Sequence, residues 1–447
     1  MYELVYYFVL IFSVLFYLFF IKLFNFNLFR YSNILYFFSV TFISIPGYEI
    51  ASGNLIAPRY NNGFDIEVYS LYLFYTVLIP VGLIIGNLIG KNIYIQTREF
   101  KSSKIRLKIV LLFIVIYAVG YFLWLPTIPL NYLIANPQDI FNANMLRLQS
   151  THLLGENVNL PFIFRYWRNI IQILLLILFV FFILEFNDRK RMSTNRKIFT
   201  IMLSFFVLYS FTFTLEKAPL MYVIIAIALT SLINKKFSIK IIIRNFIIGI
   251  IAITIMYAIF MGASINSLKD VISVPLNRIF GQSSATYYQI EYVRQNGFLH
   301  WNGIPMPFVG DFFNYKYVDV SEWAYQSLYS QYSTQGGTGT TGGMSLAKLY
   351  YAFSWYSIPI FFVFVIAYGL LDAVLFNSTK FEKSTLMARR INLSIYIFIC
   401  SFYSLALVSS VFSIFSIPII FNPSFYFVIL LYLFLIDVGN MKIHYKK

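Results

Sequence analysis

The sequence predicts an all-α polytopic membrane protein, with about eleven transmembrane helices and a large, partly helical outward-facing loop. Three observations carry that class. Of 447 residues, 59% are hydrophobic and only 12% are charged, against about 45–50% and about 25% in soluble domains. The apolar residues fall in runs close to the roughly 20 residues a helix needs to cross a hydrocarbon core about 30 Å thick, where no backbone N–H or C=O can be left unpaired. The basic residues lie between those runs. A soluble enzyme is excluded. A single cysteine, Cys400, excludes an internal disulfide, and three scattered histidines, His152, His300 and His444, give no metal-ligand spacing. The expectation is a protein without metal or cofactor.

Taken in order, the spans read as roughly 4–22, 31–46, 66–90, 109–125, 168–186, 198–215, 219–234, 243–262, 353–376, 391–410 and 422–438. The first lacks a basic n-region and a small-residue cleavage site and is followed by further spans, so it is expected to stay as a helix. Orientation follows from the charge on alternate sides, because lysine and arginine are retained in the cytoplasm. One side collects 24 of the 34 basic residues with six carboxylates, whereas the other holds ten basic and twelve acidic residues. Eleven spans then place the N-terminus outside and the C-terminus in the cytoplasm. The formal charge of +16 is a topology signal, not a nucleic-acid footprint.

This topology divides the chain into an N-terminal bundle of about eight spans (1–262) with an outer loop at 126–167, a large outer loop (263–352), and C-terminal membrane helices (353–447). Both outer loops are long enough to fold, and loops of this length between packed elements are usually functional or disordered. Their richness in Tyr, Trp and Phe argues against disorder. In the first, Asn136-Pro137 reads as an N-cap followed by proline at the first helical position, opening a short surface helix through Arg147 towards Gly155. Arg165 and Arg168 flank Trp167 as interfacial anchors.

In the larger loop, Ser273 and Pro275 mark a helix start and Asn296-Gly297 a stop, bounding about 22 residues. Arg278, Gln282, Ala285 and Gln289 share one face at 100° per residue, whereas Glu291 and Arg294 lie one turn apart on another. Arg278 is therefore the preferred contact for an anionic ligand, and Glu291 with Arg294 reads as an i,i+3 pair. Downstream come His300-Trp301-Asn302-Gly303, then Asp311, Lys316, Asp319, Glu322 and Trp323, and the glycine-rich run 335–343. That run has no G-x-x-x-x-G-K-[ST] pattern; it reads as a flexible connection, a mobile lid or a backbone nest for an anion. Glu216-Lys217-Ala218-Pro219 joins two apolar runs so tightly that its charges sit at the membrane edge. Charges there are expensive and functional by default.

A cationic, aromatic-rich outer surface over a membrane bundle suits a lipid-anchored anion that carries sugars, since aromatic faces stack on sugar rings and Arg or Lys pairs with phosphates at headgroup level. Without a nucleotide motif, a reaction here needs an already activated donor. Four features together resemble the O-antigen polymerase (Wzy, oligosaccharide repeat-unit polymerase) family. They are Glu216-Lys217-Ala218-Pro219 opening a span, Arg278-Ile279-Phe280-Gly281-Gln282 after a span, Asn302-Gly303 downstream, and Gly342-Gly343 followed by Leu346-Ala347-Lys348-Leu349-Tyr350-Tyr351-Ala352-Phe353. The likeness covers most of the chain. It departs at Lys217, where many members carry arginine, and at Ser354, where a glycine often follows.

The resemblance implies polymerisation of undecaprenyl-diphosphate-linked oligosaccharide repeat units into O-antigen or capsular polysaccharide on the outer face of a bacterial inner membrane. A glycan passes to the nonreducing-end hydroxyl of a new lipid-linked unit, releasing undecaprenyl diphosphate. Cations placed at the departing diphosphate lower the barrier without a metal; Lys217 and Arg278 are the expected clamps, with Arg147 and Arg294 as further candidates. A carboxylate activates the attacking hydroxyl, and Glu291, Asp311 and Asp319 are the candidates. Tyr287, Tyr288, Trp301 and Trp323 are candidate sugar contacts. The implied partners are a chain-length regulator and a flippase alongside the lipid-linked glycan and the bilayer. Two alternatives compete. An O-antigen ligase is expected to place a His-Asn pair late in the large loop, where this chain has Gly343-Met344-Ser345-Leu346. A lipid-linked oligosaccharide flippase is expected to show internal repeats and midplane charges, and neither is evident.

Overall fold

The computed structural model describes residues 1–24, 26, 29–53, 64–98, 100–125, 127–139, 142–143, 146, 168–187, 193–215, 217–233, 284–304, 316–328, 343–380, 384–409, 423–437, 439 and 441–445. Helices dominate them. In chain order they are α1 (Tyr2–Leu23), α2 (Tyr31–Ser39) running into a π-helical turn at Val40–Ser44, α3 (Gly47–Ser52), and α4 (Ile66–Gly90). After a short strand β1 (Ile93–Gln96) come α5 (Ser103–Trp124), α6 (Pro129–Ala135), α7 (Ile173–Asn187), α8 (Thr194–Thr212) and α9 (Lys217–Ile233). The next helix, α10, covers 284–296. It is followed by α11 (Val320–Leu328), α12 (Ser345–Phe353), α13 (Ser357–Thr379), α14 (Leu386–Phe402), α15 (Ala406–Ser409), α16 (Pro423–Leu435) and strand β2 (Lys442–Tyr445).

Among the described residues six helices are long and apolar enough to cross a membrane: Tyr2–Leu23, Tyr31–Ser52, Ile66–Gly90, Ser103–Trp124, Ser345–Thr379 and Leu386–Val408. The run expected at 243–262 lies outside the described residues. Two features depart from the expected all-α pattern. The alternating Ile93-Tyr94-Ile95-Gln96 pairs antiparallel with Lys442–Tyr445, Ile93 opposite Tyr445 and Gln96 opposite Lys442; β-branched and aromatic residues at alternate positions suit a strand, and hydropathy alone hides so short a segment. The second departure is at Asn136. It ends α6, which begins at Pro129, instead of opening a helix. The cap is Asp139, whose Oδ1 accepts the Asn142 N–H at 3.2 Å.

The chain forms two compact units, each assembled from separated segments. The first comprises Met1–Asn92, Ile272–Val374 and Tyr403–Asn422. Its α4 and α13 meet along small residues, as packing between membrane helices requires. A Cβ on Gly86 would collide with the Ile366 carbonyl oxygen, and one on Gly90 would lie 2.6 Å from the Ala373 Cβ. Hydroxyls tie α1 to the same assembly: Tyr6 donates to the Ser44 carbonyl at 2.6 Å and Ser13 to the Thr76 carbonyl at 2.8 Å. The π turn has a local cause. Pro46 brings no N–H to the ladder, and the Ile45 N–H reaches back five residues to the Val40 carbonyl at 2.8 Å.

The second unit comprises Ile93–Val271, Leu375–Phe402 and Pro423–Lys447. Helices α7, α9 and α14 pack together in it. Arg196 binds Glu185 at 2.6 Å, with Arg390 3.8 Å from the same carboxylate. Asn392 donates to Thr97 Oγ1 at 2.9 Å beside the strand pair.

Candidate functional site

In the first unit the chemistry gathers where α4 begins. Asp65 caps that helix by accepting the Glu67 and Val68 N–H groups at 3.0 and 3.1 Å, and Glu67 adds negative charge to the first turn, where the helix dipole favours it. Arg294 of α10 reaches both carboxylates. Its Nη1 lies 2.6 Å from Asp65 Oδ2 and its Nη2 2.6 Å from Glu67 Oε2. The expected pairing with Glu291 is present but longer, at 3.6 Å, and Gln295 also donates to Glu291. Tyr350 of α12 donates its hydroxyl to Glu67. Burial alone would raise the Asp65 carboxyl, but hydrogen bonds from Arg294 and from the Val68 and Glu67 backbone outweigh it and hold the group below its ordinary value. The Asp65 hydrogen bond in turn holds Arg294 above its own.

Helix α10 ends where the sequence places its stop. Gly297 takes φ +82° and its N–H bonds the Val293 carbonyl at 2.7 Å, the glycine-ended helix terminus expected there. The predicted start of this helix, with Arg278, lies outside the described residues, as do Arg147, Asp311 and the glycine run 335–342. Asp319 serves as the N-cap of α11, its Oδ1 accepting the Ser321 and Glu322 N–H groups at 2.9 and 3.3 Å. Of the aromatic candidates, Tyr287 and Tyr288 are buried in α10. Trp323 packs edge-on against Tyr288 and Tyr292. Trp301 is half exposed and meets Phe353 edge-on at 5.4 Å, so among the described candidates its indole is the one best placed to receive a ring.

In the second unit, Lys217 opens α9 after a tight hairpin. The hairpin is held by a bond from the Leu130 N–H to the Phe213 carbonyl at 3.0 Å and by a small apolar cluster of Leu133, Ala143 and Leu215. Alongside it, Tyr132 and Asn142 donate to Asp139, whose carboxyl they hold below its ordinary value.

Three described non-glycine residues adopt positive φ: Leu215 at 57°, His300 at 50° and Ser354 at 55°. Such backbone is uncommon outside glycine, costs about 1–3 kcal/mol per residue and clusters at functional sites. Leu215 and Ser354 adjoin two segments singled out in the sequence, Glu216-Lys217-Ala218-Pro219 and the segment ending at Phe353, and His300 is the first residue of a third, His300-Trp301-Asn302-Gly303. Ser354, with ψ −144°, occupies a region that essentially only glycine visits freely.

Several participants escaped the sequence reading. Asp65 and Glu67 carried a readable signal, an acidic cap directly before an apolar run. Glu49, buried within the Tyr31–Ser52 helix, carried another, since a carboxylate inside an apolar span is functional by default. Tyr350 stands inside the quoted segment that ends at Phe353, but as one among 36 tyrosines it was not singled out there. Compared with known protein families, curated proteins and solved structures, the chain matches none.

Proposed function

We propose that this protein polymerises undecaprenyl-diphosphate-linked oligosaccharide repeat units into O-antigen or capsular polysaccharide on the outer face of a bacterial inner membrane. The observation that carries the reading is the coincidence of strained backbone with the motifs that resemble O-antigen polymerases. Leu215 and Ser354 hold positive φ directly beside two of them and His300 two residues before Asn302-Gly303, and Ser354 takes a glycine-like conformation at the position where those polymerases often carry glycine.

The topology of the proposal has eleven spans, the N-terminus outside and the C-terminus in the cytoplasm. Ion pairing supports it. Arg294, Asp65, Glu67 and Glu291 are all assigned to the outer side, whereas Arg30 with Asp372, and Glu185 with Arg196 and Arg390, are assigned to the inner side. No described ion pair joins groups assigned to opposite sides.

In the proposed mechanism Arg278, the contact preferred from the sequence, holds the diphosphate of the donor. It stabilises the charge that develops as the diphosphate departs. Arg294 is assigned instead to fixing α10 over α4, because two carboxylates already occupy its fork. Trp301 offers a face to a sugar ring. A carboxylate takes the proton of the attacking hydroxyl. Asp319 is committed to its cap and Glu291 to Gln295 and Arg294, which leaves Asp311 among the carboxylates named from the sequence.

Deleting the gene in its host and running the surface glycan on a gel beside the parent tests the reading. A ladder that collapses to a single repeat unit on its acceptor is expected. Loss of all repeats, with long glycan held on undecaprenyl diphosphate, would identify a ligase. Single lipid-linked repeats accumulating on the cytoplasmic side would identify a flippase, and an unchanged ladder would overturn glycan assembly altogether.

A further inference from the structure

A feature that neither the membrane helices nor the proposed reaction uses lies in the second unit, at the β1–β2 ribbon. One edge of β1 is closed by side chains. Asn377 donates to the Ile93 carbonyl at 3.1 Å, Ser378 Oγ accepts the Ile95 N–H at 2.9 Å, and Ser384 Oγ accepts the Thr97 N–H at 3.4 Å. Backbone groups of alternate residues point to opposite edges of an antiparallel strand, so Tyr94 and Gln96 face β2. The register sets them opposite His444 and Lys442. Those two residues therefore carry the ladder bonds of β2, and the N–H and C=O groups of Ile443 and Tyr445 point away from β1. Neither makes a backbone bond on that side with another described residue. An open strand edge is a template for a further strand, and a two-stranded ribbon is marginal alone.

The side chains divide the ribbon into two faces. Ile93 pairs with Tyr445 and Ile95 with Ile443, so these four share the apolar face. At the open edge Ile443 is 77% and Tyr445 68% exposed. A blunted edge carries charge at such positions; this one carries an isoleucine and a tyrosine. The other face is polar. There His444 stacks on Tyr94 at 5.5 Å with its Nε2 2.9 Å from Gln96 Oε1, and Lys442 is exposed. Arg98, just beyond β1, and Lys101 are exposed as well, and Asp437 is the one carboxylate among the described residues of these two segments. The surroundings of the open edge are cationic.

We propose that the open edge of β2 receives an extended acidic segment of a partner protein as a third strand. Recognition by strand addition draws affinity from main-chain hydrogen bonds and specificity from alternate side chains. The partner's main chain exchanges bonds with Ile443 and Tyr445. Its apolar residues lie beside these two side chains, and acidic residues at the alternate positions fall on the face of Lys442. A second copy of the chain fits less well, because β2 against β2 gathers the cations of two chains on one sheet, where like charges repel. Lipid hydrocarbon fits less well too, since it leaves the edge N–H and C=O groups unpaired. On the topology proposed above the partner is cytoplasmic, and the inference does not depend on the polymerase reaction.

The test uses the full-length protein in detergent and a synthetic peptide probe in which glutamate and valine alternate. With the probe at about ten times its dissociation constant, hydrogen exchange at the Ile443 and Tyr445 amides is expected to slow about tenfold, because only the unbound fraction exchanges. The same probe N-methylated along the edge that meets β2 keeps its charge and loses its donors, and it is expected to bind at least roughly tenfold more weakly. Lys442→Glu is expected to weaken the unmodified probe about fivefold, the worth of an exposed ion pair. Ile443→Pro removes an outward N–H and no ladder bond, so the melting temperature is expected to hold while binding is lost. Should that variant fail to fold, Ile443→Glu closes the edge to an acidic strand without touching the backbone. Equal binding of the N-methylated probe overturns strand addition, as does undiminished binding to both Ile443 variants or no slowing at the two amides with millimolar probe. Slowing without probe in a dimer would give the edge to a second copy, and slowing without probe on transfer to phosphatidylglycerol nanodiscs would give it to the bilayer; either result overturns the proposal.

Discussion

Arg30 and Arg294 both meet carboxylates within the first unit, one in the interior and one at its edge. Arg30 Nε lies 3.1 Å from Asp372 Oδ2, with the two side chains 6% and 0% exposed. Asp372 also accepts the Tyr31 N–H at 3.1 Å and the Ser32 hydroxyl at 2.6 Å, so this carboxylate of α13 satisfies the start of α2. Arg294 is 34% exposed and divides its fork between Asp65 and Glu67. Water can replace a lost partner at the edge and cannot in the interior. The buried pair is consequently a joint of the fold, and the edge cluster is an adjustable tie that sets the position of α10.

Removing Asp372 should break this contrast most visibly. Asp372→Ala leaves the Arg30 charge, the Tyr31 N–H and the Ser32 hydroxyl without their shared acceptor, and loss of one partner of a buried pair costs about 3–5 kcal/mol. A large drop in the unfolding midpoint of the detergent-purified protein is expected, with little dependence on salt. A change below about 1 kcal/mol, the range of exposed pairs, would place both arginines in one class.

Gly86→Val approaches the same joint through packing. The added Cβ meets the Ile366 carbonyl rather than a side chain that can swing away, so α13, which carries Asp372, must shift from α4. Overpacking of this kind costs about 1–3 kcal/mol. Gly82→Ala should cost less, because its new methyl meets the movable Val365 and Phe362 side chains. Equal melting temperatures for the two variants would show that the helices are not in the close contact described.

The contrast also explains what the sequence disclosed. The runs 66–90 and 109–125 were legible because lipid demands unbroken apolar helices; α4 spans the first in full, and α5 (Ser103–Trp124) spans all but the last residue of the second. The stop at Gly297 was legible because only its backbone accepts that turn cheaply. The joint at Asp372 was not, since 342 residues separate it from Arg30 and composition records no pairing across that distance. The same holds for the site. Glu291 and Arg294 could be paired from helical spacing, but the stronger partners Asp65 and Glu67 are 229 and 227 residues away. Asn136 misled because a proline after a cap residue resembles a helix start, whereas the local bonds that decide it belong to Asp139.

Replacing Arg294 sharpens the other side of the comparison. Arg294→Ala should cost about 1 kcal/mol, near the upper end for partly exposed pairs, and the loss should shrink as salt screens the cluster. Faster backbone hydrogen exchange in α10 would locate it. Arg294→Lys keeps the charge but not the fork, so it should recover only part of the protection; full recovery would mean that charge alone holds the helix.

The smallest effect is set by pH. The Asp65 carboxyl lies below its ordinary value in the folded protein, so its contribution is fully present above the unfolded value of about 3.9 and is lost as pH falls through the lower folded one. Stability should therefore decline on acidification from about pH 5 downward, because the unfolded chain binds the proton first. Asp139 in the second unit is depressed in the same direction and adds a slope of the same sign, so the wild-type profile alone does not assign it. Asp65→Asn removes only the first contribution. Its unfolding midpoint should be lower than wild type at neutral pH and should converge on it in acid. Parallel profiles would instead mean that the carboxylate charge of Asp65 does no more for the fold than a neutral cap, and the edge cluster would rest on Glu67 and Tyr350.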